Sequence, residues 1–62
     1  IMNNEQKAAL YDQYLREHDA KAREVSVLRS KFDLTRDDES KIKELKMEMD
    51  GIQKKASDLG SI

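Results

Sequence analysis

His18 stands between Glu17 and Asp19 in a 62-residue chain that contains no cysteine and no tryptophan. Imidazole flanked by carboxylates could hold a metal ion or relay a proton, provided the groups converge. On a helix they do not, because neighbours one residue apart point to different sides. Ser26, Ser30, Ser40 and Ser57 could act as nucleophiles only with a base and an orienting acid in reach. His18 is the one histidine, and Asp19 beside it points elsewhere. The missing cysteines exclude disulfides, thiolate nucleophiles and zinc–thiolate sites. With only Gly51 and Gly60, there is no glycine-rich phosphate loop. No catalytic residue, metal or cofactor is expected, and the chain reads as a non-enzyme. His18 is then either a polar layer in an apolar seam or a group that responds to pH near its unperturbed pKa of about 6.5.

Binding to nucleic acid or membrane also finds little support. The basic residues between Arg16 and Lys31 are interleaved with Glu17, Asp19 and Glu24, whereas phosphate backbones want a patch of one sign. No dense basic stretch leads into a zipper. No apolar run approaches the roughly 18–20 residues that span a bilayer, and the polar faces are mixed in sign, unlike a helix lying on lipid. Neither nucleic acid nor membrane is expected as a partner. The chain opens without a signal-peptide pattern, and Ile1 precedes Met2, so the expectation is a segment of a longer protein, intracellular and cytoplasmic.

Any chemistry must therefore come from the elements themselves. Charged residues make up 40% of the chain, proline is absent and net charge is −1, a mix that with helical periodicity points to a long helix or coiled coil. Sixty-two residues close only a marginal core. Residues 1–6 form an N-terminal cap segment, in which Asn3 or Asn4 accepts a hydrogen bond from the first turn and Glu5 suits the helix dipole. Residues 7–59 read as one coiled-coil helix, and residues 60–62 as a frayed end behind a stop at Gly60.

Two heptad frames run through that helix. In the first, Tyr11, His18, Val25 and Phe32 repeat every seven residues, as do Tyr14, Lys21, Leu28 and Thr35. In the second, Ile42, Met49 and Ala56 take a, while Leu45, Ile52 and Leu59 take d. The frames are joined by an extra three-residue step through Asp38, a stammer between Thr35 and Ile42 that overwinds a supercoil. A carboxylate at that point of the seam, Asp38 or Glu39, requires local access to water.

A fold-back explains the same shift. Thr35 followed by Arg36-Asp37-Asp38-Glu39 has the pattern of a helix N-terminus, with Asp38 where a capping-box Glu would stand. A turn at Asp33–Thr35 would make an antiparallel hairpin. It pairs Leu28 with Ile42, Val25 with Leu45, His18 with Ile52, Tyr14 with Ala56 and Tyr11 with Leu59; each pair of numbers sums to seventy. Two chains lying antiparallel would satisfy the same sum. Glu17 with Lys55 and Arg29 with Glu39 would then attract, and Lys31 with Lys41 would repel, each at only about 0.3–0.5 kcal/mol. Against the hairpin, the turn offers no Gly, Pro or Asn, so the continuous helix is the leading expectation.

The residues from Met49-Asp50-Gly51-Ile52 through Asp58-Leu59-Gly60 resemble the C-terminal part of SNARE helices. That family has a central Gln or Arg layer in an unbroken frame; here Asp38 falls near that place and the frame breaks, so no role is carried over. The fold class expected is all-α, a near-continuous amphipathic helix in a coiled coil, with the antiparallel hairpin or bundle as alternative. Function is expected to be oligomerisation within a larger scaffold, tether, motor or cytoskeletal protein. Its partner is the chain itself, first as a parallel dimer, then a trimer, then a tetramer, or else another helical protein. The interface would comprise the twelve seam residues Tyr11, Tyr14, His18, Val25, Leu28, Phe32, Ile42, Leu45, Met49, Ile52, Ala56 and Leu59.

Overall fold

A computed structural model describes residues 1–60, and its elements are two α-helices, α1 (Asn4–Arg29) and α2 (Arg36–Leu59), packed against each other. Both begin where the sequence offers a short polar side chain. At α1 the Gln6 N–H donates to Asn3 Oδ1 at 2.8 Å and the Asn3 N–H donates to Gln6 Oε1 at 3.1 Å. At α2 the Asp38 N–H donates to Thr35 Oγ1 at 3.0 Å, and the Thr35 N–H to Asp38 Oδ2 at 3.1 Å. Each box satisfies two donors that a helix start would leave without acceptors.

The expected helix over 7–59 is interrupted here. Helical backbone stops at Arg29 and resumes at Arg36, so the break starts earlier than the expected turn at Asp33–Thr35. Ser30 ends α1: its N–H donates to the Ser26 and Val27 carbonyls, and its hydroxyl donates to the Val27 carbonyl at 2.7 Å. No described residue has a positive φ, so the reversal is built from ordinary backbone conformations. The lack of Gly, Pro or Asn therefore does not count against it. The acids Asp37, Asp38 and Glu39 in the first turn of α2 favour a helix start over a helix middle.

The molecule measures 48 × 14 × 11 Å between Cα extremes. A straight helix of some fifty-five residues would run about 80 Å. Its core is a single seam in which Val25, Ile42 and Leu45 are buried, with Leu28 and Met49 packed against them. Ile52 and Leu59 extend the buried row toward the open end. Along α2 the inward residues Asp38, Ile42, Leu45, Met49, Ile52, Ala56 and Leu59 alternate steps of four and three, so the frame expected there holds throughout.

Gly51 lies on the outer face of α2, and a Cβ built there meets nothing within 4 Å. Gly51→Ala should therefore stabilise the chain by about 1 kcal/mol, since glycine loses more backbone freedom in a helix. For a fold of this size the melting temperature should rise by roughly 4–8 °C, measured by circular dichroism. Gly60 caps α2 in a right-handed conformation, φ −68°, without using its left-handed freedom. The expected fraying of Ser61 and Ile62 lies outside the described residues.

Candidate interaction surface

α1 presents its seam less regularly than α2. Tyr14, His18, Lys21, Val25 and Leu28 turn inward, as the first heptad frame requires. At either end the frame fails. Tyr11 is 47% exposed, and Leu10 is the partly buried residue instead. A straight helix drifts about 20° per heptad against a strict seven-residue repeat, and by the first turns of α1 that drift moves the inward position by one residue. Phe32 falls outside α1 altogether. It stands in the turn with its side chain wholly exposed, so it takes no part in the contact between the two helices.

Cross-helix electrostatics also differ from expectation. The Lys21 ammonium donates to Glu48 Oε2 at 2.7 Å, and across the turn Lys31 donates to Asp38 Oδ1 at 3.0 Å. Glu17–Lys55 and Arg29–Glu39 are not ion pairs here; Glu17 instead accepts from Gln13 on its own helix at 3.2 Å. Lys21 explains how a polar residue occupies the seam: its side chain is only partly exposed, and its head is paired with Glu48 of the facing helix. Asp38 resolves the matter of a carboxylate at the seam in a similar way, because it caps α2 and meets Lys31.

These contacts shift three titrations. The hydrogen bond from Lys21 holds Glu48 below its ordinary value of 4.5, and its acceptance by Glu48 raises Lys21 above 10.5. The Thr35 N–H, then the Lys31 ammonium, hold Asp38 below 3.8. Because both carboxylates bind protons less readily when folded, their contribution is in place above their unfolded values and is lost as pH falls through the lowered folded ones. Lys21 contributes below 10.5 and loses its contribution as pH rises through its raised value. Helical content should therefore fall as acid titrates Glu48 and Asp38. Glu48→Gln together with Asp38→Asn should flatten the acid limb in a pH titration of ellipticity. All three groups remain partly open to solvent, so added salt should weaken the effect.

Around the seam the two helices leave two flanks. On one flank a groove of ≈ 550 Å³ is lined by Tyr11, Tyr14, Leu15 and His18 of α1, by Ile52, Gln53, Ala56 and Ser57 of α2 and by its cap Gly60. On another, Val27 and Leu28 share a ≈ 350 Å³ hollow with Arg23, Glu24 and Lys41. The structure thus brings Tyr11, Tyr14, His18, Ile52 and Ala56 together around one groove, and Val25, Leu28, Ile42, Leu45 and Met49 in one cluster. Leu59 is buried near the open end, and Phe32 is in neither group. Sequence reasoning missed Leu10 and Leu15; their four-residue spacing from Tyr14 and Tyr11 was the available signal.

Among the described residues no three His, Cys, Asp or Glu side chains gather into a potential metal site, and no helix is long and apolar enough to cross a membrane. Comparison with protein-family profiles, curated proteins and solved structures finds no match for this chain.

Proposed function

We propose that the chain is a helical-hairpin interaction module, which works by docking the open edges of its apolar seam against other helices. The observation that carries this reading is the thinness of the core. Among the described residues only Val25, Ile42, Leu45, Ile52 and Leu59 are buried, while Tyr11, Tyr14, Leu15, His18, Leu28 and Met49 remain partly or substantially exposed beside them. Two helices alone bury one stripe, and helical stability in water depends on covering the apolar face. A third or fourth helix would cover the rest, in a homomeric or heteromeric bundle. Within a larger protein, such a module would join copies or tether a partner.

A parallel homomeric coiled coil is the second reading. The unbroken three–four alternation along α2 and β-branched Ile42 at a with Leu45 at d favour it. Sedimentation equilibrium with circular dichroism over a concentration series tests both. Assembly whose helical content falls on dilution supports an interaction module. A monomer that melts cooperatively at one temperature whatever its concentration would contradict self-association, and then a partner helix added in trans must be what raises its stability.

A further inference from the structure

We propose that a second copy of this chain covers the groove beside Tyr11 and Leu15, the two hairpins meeting flank to flank about a two-fold axis. This rests on the interaction-module reading and adds which partner is taken and by which face.

The chain exposes 5140 Å² of accessible surface. A compact monomer of its mass would expose roughly 4,100 Å². The surplus, about 1,000 Å², matches the roughly 800 Å² that each partner gives up in an interface of standard size. One flank is suited to lose it to a copy of itself. Tyr11 and Leu15 stand exposed at 47% and 46%, four residues apart on one side of α1, while Ala56, Ser57 and Gly60 leave the hollow next to them on α2. Projections and hollow lie side by side on one patch. A two-fold axis therefore sets the projections of each copy into the hollow of the other, the self-complementary geometry that an isologous dimer requires.

Charge selects the same flank. The groove lining contains no Asp, Glu, Lys or Arg, and a net charge of −1 gives copies little mutual repulsion. The other hollow is bordered by Arg23, Glu24 and Lys41, whose heads a second copy would have to strip of water. A copy laid there leaves charges facing apolar side chains; the lining of the Leu15 groove holds no carboxylate, lysine or arginine.

Single-cysteine variants of the full chain test this, because the natural sequence has none. Mixed in equal amounts, Leu15→Cys and Ser57→Cys chains place one thiol on the projection and one in the hollow that receives it. Met47→Cys places it on an exposed position, 69% accessible, that helical spacing turns away from the seam of α2. Under mild oxidation, that mixture should form mixed covalent dimers roughly tenfold faster or more than Met47→Cys chains link to one another, since association holds the two thiols at a raised effective concentration, and the linked dimer should keep its helical spectrum. Equal rates, or faster linkage through Met47→Cys, would overturn the flank assignment even if sedimentation shows a dimer. A helical monomer at every concentration would overturn the second copy as occupant while leaving docking to a different helix intact. A chain without helix at any concentration would overturn the hairpin module itself.

Discussion

Leu45→Ala should abolish most of the chain's helical signal at room temperature. Leu45 is the most deeply placed side chain, 2% exposed, and it closes the cluster with Val25 and Ile42 midway along the seam. Truncating a buried leucine costs about 2–5 kcal/mol, part from lost transfer energy and part from the cavity left behind. A fold this small rarely commands more than about 3–5 kcal/mol in total, so one truncation consumes most of it. Met47→Ala, two positions on but 69% exposed, should stay within about ±0.5 kcal/mol of the parent. Thermal melts followed by circular dichroism check the pair. Equal melting temperatures for the two variants would mean that the seam is not where the stability resides.

Thr35→Ala should act on topology as well as stability. The side chain accepts the Asp38 N–H, and its loss should cost about 0.5–2 kcal/mol, the range for removing a helix N-cap. More telling is what the residue holds in place. Thr35 with Asp38 marks the start of α2, and alanine at this position is a good helix former. Without the cap, the six residues of the turn gain a competing state in which α1 and α2 run on as one helix. The apolar pairs whose numbers sum to seventy can then be made only between chains, so the variant should shift toward exchanged dimers. Sedimentation velocity should find a larger and more elongated species at matched concentration. A species of unchanged shape with lowered stability would show that the cap contributes energy without selecting the fold-back.

Much of this was readable in the sequence, and the failures have identifiable causes. The seam of α2 was legible because its three–four alternation is unbroken from Asp38 to Leu59. Both N-caps were legible because Asn3 and Thr35 are short polar side chains placed three residues before Gln6 and Asp38. The turn was legible only as an alternative. Its residues include no Gly, Pro or Asn, and none was needed, since no described residue has a positive φ. Phe32 was misleading because it continues the a-position repeat of Val25 by count, while Ser30 has already ended the helix. Tyr11 was misleading for a subtler reason: a seven-residue count ignores the drift of a straight helix, which brings Leu10 inward and leaves Tyr11 and Leu15 on the flank. Ion pairs were the least legible feature. Long side chains such as Lys21 and Lys31 reach several acids at similar cost, and differences of a few tenths of a kcal/mol do not select among them.

The claim on which the account stands is that the chain folds back on itself, setting Tyr14 of α1 beside Ala56 of α2 along one groove. Spin labels at Tyr14→Cys and Ala56→Cys, with labelled chains diluted in unlabelled ones so that only distances within a chain register, measure it directly. The hairpin predicts a separation of about 10–20 Å, set by the spacing of packed helices plus the label arms. A separation near 60 Å, the length of some forty helical residues in line, would contradict it and make the molecule a straight rod.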